Sequence, residues 1–235
     1  MNKVTFEYRN IVRLFNDISF SKSMWQVFSD CIEIYSLSIS NSFDVGKAFE
    51  MREMRYAEII KDYSKEQLDI ISKIFVEIAF MIEENPFRDT LGELYMQLGM
   101  GSKESGQFFT PYVVSHTLAK EALSRDTVNK LISAKKYITI LEPAVGGGAN
   151  AIAACEMLKS YDIDYQAKAV FVCQDLTKIT AMMCHVVLSL IGCSAVIKIG
   201  DTLTEPYTNY ANERRKGAEL LITPMFAKNN CFEKV

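Results

Sequence analysis

Apolar residues in the first hundred positions recur at helical spacing, with almost no strand-like alternation. Ser64 is a predicted N-cap, and Gln67, three residues later, is its capping-box partner. The helix that Ser64 opens has a wide apolar stripe and stops before Pro86, so we expect it to be the central helix of a bundle. Further predicted helices lie around residues 12–18 and over residues 24–39, 48–63 and 91–98.

The pattern changes after the glycine-rich segment 99–106, which we interpret as the boundary between a helical domain (1–105) and a second domain (106–235). Beyond this segment, short apolar stretches alternate with helices. Such alternation is typical of an α/β fold in which a parallel, doubly wound sheet is covered on both faces. The predicted strands cover residues 138–141, 169–173, 195–199 and 218–222, and the predicted helices cover residues 110–123, 150–160 and 178–191.

Three consecutive glycines, Gly146, Gly147 and Gly148, separate the first predicted strand from an alanine-rich helix. Such a turn lets a nucleotide-like ligand approach the backbone N–H groups at a helix N-terminus. Ligands of doubly wound sheets bind beyond the carboxyl ends of the strands, where this chain has polar side chains. These side chains, one after each predicted strand, are Glu142, Asp175, Asp201 and Thr223.

The residues by themselves leave the nature of this site open. One interpretation is a tight turn that needs glycine only for its geometry. Another is an adenosine-type site in which Asp175 meets ribose hydroxyls. Gly146, Gly148 and Ala151 also satisfy the G-x-G-x-x-A pattern of nicotinamide enzymes, although the Glu-Pro pair before the glycines does not belong to that pattern.

The composition of the chain argues against several classes of protein. The formal charge of −3 names no partner and counts slightly against a stand-alone nucleic-acid binder. No apolar segment reaches transmembrane length and the polar N-terminus is no signal peptide, so we expect a cytoplasmic protein without a membrane partner. The six cysteines form no C-x-x-C pair and are predicted to be reduced core residues.

The histidines and one basic cluster are weaker candidates for a site. His116 and His185 lie in predicted helices without the neighbours that a zinc site would need, so we expect no metal. Arg214, Arg215 and Lys216 could contact phosphates, but a solvated loop before the fourth strand is the simpler interpretation.

Two segments of the chain form a specific combination: residues 106–111 read GQFFTP, and residues 141–148 read LEPAVGGG. The combination resembles the adenine-specific DNA methyltransferases, in particular the modification subunit of type I restriction–modification systems. That family has G-Q-[FY]-[FY]-T-P before D-P-A-C-G-T-G-G, and both segments contact S-adenosylmethionine. Here Glu142 replaces the usual Asp, Val145 the Cys and Gly147 the Thr. The resemblance displaces the nicotinamide interpretation.

The resemblance implies an N-terminal helical domain followed by a Rossmann-like methyltransferase sheet with S-adenosylmethionine as cofactor. It assigns Asp175 to the ribose, and it places Asp201, within the segment G-D-T-L, beside the adenine. The residues that it implies for cofactor binding are Gln107, Phe108, Phe109, Thr110, Pro111, Glu142, Gly146, Gly147, Gly148, Asp175 and Asp201.

The family's catalytic tetrapeptide, [ND]-P-P-[FY], falls on residues 223–226, which read TPMF here. The resemblance implies that Thr223, Pro224 and Phe226 hold a flipped adenine while its exocyclic amine receives the methyl group. The Thr223 hydroxyl reaches less far than an Asn or Asp side chain, and Met225 replaces a rigid proline. Two functions follow as hypotheses: adenine methylation of DNA, and non-catalytic cofactor binding or assembly by a protein derived from such an enzyme.

The family continues through further strands after the tetrapeptide, so we expect the sheet to be truncated after its fourth strand. Residues 219–222 would then form an exposed apolar edge, which we expect a second copy or another partner to cover. Base recognition in the family largely belongs to a separate specificity subunit. The resemblance therefore implies DNA and such a subunit as partners.

Overall fold

Side-chain caps start three helices in the N-terminal region of the computed structural model, which describes residues 5–19, 22–43, 45–101, 109–231 and 235. Ser23 accepts a hydrogen bond from the Gln26 N–H, and Ser64 forms the predicted capping box with Gln67. The helices of this region are α1 (Arg9–Ile18), α2 (Met24–Asn41), α3 (Lys47–Ile60), α4 (Lys65–Glu84) and α5 (Thr90–Gln97), after a 3-10 turn (Phe6–Tyr8).

Helix α2 has the largest number of buried residues in this region, so the prediction that α4 is central was wrong. Eleven of the 18 residues of α2 are buried. Helix α4 buries one stripe of isoleucines and leaves Val76 and Phe80 exposed. The width of an apolar stripe shows how much of a helix can be covered, but not how many neighbours the fold supplies. Helix α2 has neighbours in both halves of the chain.

Strands and helices alternate through residues 109–231, which confirms the α/β class. The helices over residues 125–135, 165–168, 210–216 and 224–228 were not predicted. Arg214, Arg215 and Lys216 lie in the third of these helices and not in a loop. The strands are β1 (Ile138–Glu142), β2 (Ala169–Asp175), β3 (Ala195–Ile199) and β4 (Leu220–Ile222). The helices are α6 (Tyr112–Ala122), α7 (Arg125–Lys135), α8 (Ala149–Ser160), α9 (Tyr165–Lys168), α10 (Lys178–Leu190), α11 (Tyr210–Lys216) and α12 (Pro224–Lys228).

The four strands pair in the order β1-β2-β3-β4. Strands β1, β2 and β3 are parallel, as predicted, with Ile138 opposite Ala169. Strand β4 instead runs antiparallel to β3, with Lys198 opposite Leu220 and Val196 opposite Ile222. The expectation of a fully parallel sheet therefore fails at the last strand, and β4 ends beside the amino end of β3.

A buried ion pair accounts for the direction of β4. Lys198 of β3 donates hydrogen bonds of 2.7 Å to Glu213 Oε2 in α11 and to the Glu205 carbonyl. These bonds hold the connection from β3 to β4 against the end of β3, where the Ile199 N–H also donates to the Glu219 carbonyl. Helix α11 has seven residues and is only about 10 Å long. The chain therefore leaves β3 at its carboxyl end and begins β4 beside that same end.

One face of β2, β3 and β4 packs against the last described helix. Phe226 of α12 is fully buried with Val170, Val172 and Val196, and the two outer residues of β4 pack against this cluster. Within β4 itself, Leu221 is buried. The apolar segment is thus partly covered within the chain. Coverage by a second copy or another partner stays a prediction.

The helical and α/β regions share one hydrophobic core. Helix α2 packs against α10, and polar contacts cross the same interface. His185 Nδ1 lies 2.9 Å from Ser36 Oγ, and Lys178 Nζ lies 3.4 Å from Glu33 Oε1. The predicted boundary at residues 105/106 falls in segment 102–108, outside the described residues, and stays a prediction.

Because Lys198 and Glu213 form this ion pair, we predict that Lys198→Met is much less stable than the parent protein. Glu213 is fully buried. Burial alone would raise its pKa, but hydrogen bonds from Lys198 and Thr208 lower the pKa to about 2. Removing Lys198 leaves the buried carboxylate with the exposed Lys216, 3.4 Å from its Oε1, as its remaining ion-pair partner. We expect a loss of about 3–5 kcal/mol in the free energy of unfolding by urea denaturation.

The double variant Lys198→Met/Glu213→Leu is the matched control, because it removes both charges and keeps apolar volume. We expect it to be more stable than the single variant. A single variant within about 1 kcal/mol of the parent would show that the pair does not hold the connection.

Because of His185, we predict that the protein loses stability as the pH is lowered from 6.5 to 4. Its ring is fully buried between α2 and β4, and burial lowers its pKa from 6.5 to about 4. Below pH 6.5 the unfolded chain binds a proton that the folded chain rejects. The free energy of unfolding therefore decreases as the pH is lowered through this range, by about 3 kcal/mol in total, and it levels off near pH 4.

The measurement is urea denaturation at pH 7 and pH 4.5 for the parent and for His185→Gln. The pKa of Asp89, raised by burial to about 6, acts in the opposite direction, so the difference between the two proteins is the informative quantity. An equal pH dependence in both proteins would exclude His185 as the cause.

Candidate cofactor-binding site

The glycine turn lies between β1 and α8, at the carboxyl edge of the three parallel strands. Gly146 and Gly148 have φ angles of 54° and 107°, in the left-handed region that glycine adopts most readily. The Val145 N–H donates to the Gln174 carbonyl, which joins the turn to β2. At Gly147, an added Cβ atom would lie 3.3 Å from Met183 Cε. The turn is therefore closely packed at Gly147, where a side chain would displace the end of Met183 by a few tenths of an ångström.

Asp175, at the end of β2, holds the turn from the neighbouring strand. Its Oδ2 accepts a hydrogen bond of 2.8 Å from the Gly146 N–H. Its Oδ1 accepts from the Thr177 N–H at 2.9 Å and from Thr180 Oγ1 at 2.8 Å. A carboxylate offers about four acceptor positions, so Asp175 retains one on Oδ2 for an outside donor such as a ribose hydroxyl.

Glu142 and Asn150 form a second polar group at this edge. Asn150 Nδ2 donates to Glu142 Oε2 at 3.0 Å, and the Ala144 N–H donates to Glu142 Oε1 at 3.2 Å. Asn150 Oδ1 is buried and has no hydrogen-bond partner. An orphaned buried acceptor is costly, so a ligand that donates a hydrogen bond here is favoured. Sequence reasoning did not assign Asn150 to the site, although its position one residue into α8 was a usable signal.

Phe109 is the described residue of the GQFFTP segment that contacts the turn. Its ring packs edge-on against Tyr95 with centroids 5.1 Å apart, and it lies 3.4 Å from where a Cβ atom on Gly147 would be. Thr110 and Pro111 are exposed immediately before α6, with Pro111 as its N-cap. The predicted cofactor residues Gln107 and Phe108 lie outside the described residues.

The loop after β3 reaches the same edge. The Gly200 N–H donates to the Asp175 carbonyl at 2.9 Å, and the Thr202 hydroxyl donates to the Pro143 carbonyl. Asp201 Oδ1 accepts a hydrogen bond from the Leu203 N–H within its own turn. The fold thus brings the ends of the three parallel strands together as the sequence predicted, with Glu142, Asp175 and Asp201 along one edge.

The tetrapeptide does not join this edge. Thr223 is fully buried, and its Oγ1 accepts a hydrogen bond of 3.0 Å from the Ala195 N–H at the first residue of β3. It also caps α12 through the Phe226 N–H. Because β4 is antiparallel, Thr223, Pro224 and Phe226 lie at the amino end of β3, opposite the glycine turn. The expectation that they follow the strand to the ligand edge was wrong in this fold.

Comparison with known proteins identifies the family of this chain. A family model for N-6 DNA methylases matches residues 87–230, more than half of the chain. The chain belongs to the N-6 DNA methylase family. The match includes α5 and both segments that carried the resemblance. It supports methyltransferase function with S-adenosylmethionine as the cofactor.

Among solved structures, one match is a protein from Listeria monocytogenes assigned as a class I S-adenosylmethionine-dependent methyltransferase. It is 13% identical, with a TM-score of 0.44, over 86% of this chain and 56% of that chain. The present chain thus spans just over half the length of that structure. A search of curated proteins gives no match.

The side chains at the edge fit the cofactor of the family. The free acceptor position of Asp175 suits a ribose hydroxyl, and the orphaned Asn150 Oδ1 beside Glu142 suits a donor such as an ammonium group. No group of three potential metal ligands occurs among the described residues. Within the same ranges, no helix is long and apolar enough to cross a membrane.

Asp175→Ala is predicted to weaken binding of S-adenosylhomocysteine, the demethylated cofactor. The variant loses the ribose contact and leaves the Gly146 N–H without its acceptor, and we expect a loss of about 1–3 kcal/mol in binding free energy by titration calorimetry. Asp164→Ala is the matched control, because Asp164 also accepts a backbone N–H bond but lies at the start of α9. Equal affinity of Asp175→Ala and the parent would exclude this site.

Proposed function

We propose that this chain binds S-adenosylmethionine at the glycine turn and serves methyl transfer to the exocyclic amine of adenine in DNA, in a restriction–modification system. The observation that carries the proposal is the junction of Asp175 with Gly146, beside the unpartnered acceptor of Asn150. This arrangement positions acceptors for a ligand with several hydroxyl and amine donors. Family membership supports methyl transfer, and the resemblance to modification subunits supports adenine and DNA.

The residues of the chain have distinct roles in this proposal. The cofactor supplies an activated methyl group. Asp175 and Asn150 orient it by accepting hydrogen bonds, and Glu142 fixes the Asn150 amide so that its oxygen stays available. Phe109 covers the glycine turn and excludes water from one side of the site. These groups act by positioning, which is the main contribution a protein can make to a group transfer.

A second candidate is a non-catalytic cofactor-binding or assembly protein, and the position of the tetrapeptide favours it. Thr223 and Phe226 are buried at the amino end of β3, and the Thr223 hydroxyl is already used in the sheet and in the cap of α12. As folded, these side chains cannot hold a base near a cofactor at the opposite edge. The chain would then bind cofactor without completing the transfer.

The partners remain part of the proposal. The formal charge of −3 counts slightly against strong binding of DNA by this chain alone. We propose that DNA reaches the site through a separate specificity subunit, which supplies the phosphate contacts and the base recognition. A second copy or other partner at β4 is consistent with its position as an edge strand.

Without the proposed specificity subunit, the purified chain is expected to bind cofactor but to transfer no measurable methyl group to mixed DNA. The assay follows a labelled methyl group into DNA, with Asp175→Ala as the control that lacks the cofactor site. The double variant Thr223→Asn/Met225→Pro restores the family tetrapeptide in sequence. We expect no gain from it, because the segment lies at the wrong end of the sheet.

Two outcomes would contradict this expectation. Methylation by the parent chain would favour the enzyme over the non-catalytic candidate. A gain of about a hundredfold in the double variant would show that only the side chains of the tetrapeptide limit the reaction, as expected for one restored transition-state contact.

A further inference from the structure

A small pocket lies between α2 and the start of α10, separate from the glycine turn. Its volume is about 240 Å³, below the range of about 300–1,000 Å³ that holds drug-sized ligands. Trp25 and Ser29 line it from α2, and Thr177, Lys178 and Met182 line it from the α10 side. A single ring system is therefore the size of ligand that it suits.

The side chains of the pocket favour a planar ring with a hydrogen-bonding edge. Trp25 is 52% exposed and supplies an indole surface on which a flat ring can stack, and Met182 adds a polarizable contact. Ser29 Oγ is buried and has no hydrogen-bond partner. A purely hydrocarbon ligand would leave that hydroxyl unsatisfied, whereas a ring nitrogen or amine would pair with it.

Charges at the rim restrict the ligand further. Lys178 Nζ lies 3.4 Å from Glu219 Oε1 and 3.4 Å from Glu33 Oε1, and Arg55 also binds Glu33. The lysine thus already contacts two carboxylates. An anionic ligand would have to compete with both. The pocket therefore favours a neutral ring over a phosphate or a carboxylate.

We propose that this pocket binds a neutral heteroaromatic ring of the purine type, stacked on Trp25 and hydrogen-bonded to Ser29. The site is distinct from that of the cofactor but touches the segment that orders it, since the Thr177 N–H donates to Asp175 Oδ1. A ring seated against Thr177 restricts this segment, so ring binding and cofactor binding should strengthen each other.

Trp25 makes the site measurable, because it is the single tryptophan of the chain. The experiment titrates adenosine and guanosine into the full chain and follows tryptophan fluorescence, with ribose as a ligand that lacks the ring. We expect saturable quenching by both nucleosides and none by ribose. Ser29→Ala should weaken binding about fivefold, as expected for one lost neutral hydrogen bond.

Ser189→Ala is the matched control, because Ser189 Oγ is also buried without a partner on α10 but lies outside the pocket. It should bind the nucleosides like the parent. Trp25→Leu removes the stacking surface and the fluorescence signal, and calorimetry should then show nucleoside binding lost while S-adenosylhomocysteine still binds.

Three results would overturn the proposal. Quenching that rises linearly without saturation would indicate collisions in solution only. Equal affinity in Ser29→Ala and the parent would exclude the hydroxyl contact. Displacement of guanosine by one equivalent of S-adenosylhomocysteine would place the ring in the cofactor site. None of these results depends on methyl transfer.

Discussion

A lysine ammonium in a protein interior needs an acidic partner, and Lys198 of β3 has that partner in Glu213 of α11. The pair lies on a connection that would otherwise be free to cross the sheet. By holding α11 beside the end of β3, it returns β4 antiparallel. The position of Thr223 follows from this, and with it the separation of the tetrapeptide from the glycine turn.

The cofactor edge depends on a different carboxylate. Asp175 accepts hydrogen bonds from Gly146, Thr177 and Thr180, so it shapes the turn before any ligand arrives. Preorganisation of this kind lowers the conformational cost of binding. It also explains how a residue assigned to ribose recognition can have a structural role. The Asp175 carboxylate can hold the turn and also bind a ribose, because its two oxygens offer more acceptor positions than the protein uses.

Much of the local structure could be predicted from the sequence. The capping box of Ser64 and Gln67, the glycine turn and the three parallel strands are all where the pattern places them. The glycines, Asp175 and Asp201 do lie on one edge. The position of Asn150 at the start of α8 was a usable signal, but the unpaired state of its Oδ1, on which its importance rests, shows only in the structure. The burial of α2 was also missed, since it depends on neighbours from both halves of the chain.

The sequence by itself determined most of the longer helices, the order of the strands along the chain and the acidic residues at the carboxyl ends of the three parallel strands. These features depend on periodicity, capping and glycine geometry, which act over a few residues. The tertiary structure alone decided the direction of β4, the burial of Thr223 and the covering of the turn by Phe109. Each of these depends on contacts between distant residues, such as Lys198 with Glu213 and Thr223 with Ala195. Such contacts are chosen by packing and charge pairing in three dimensions, and the pattern of residues in one segment does not contain them.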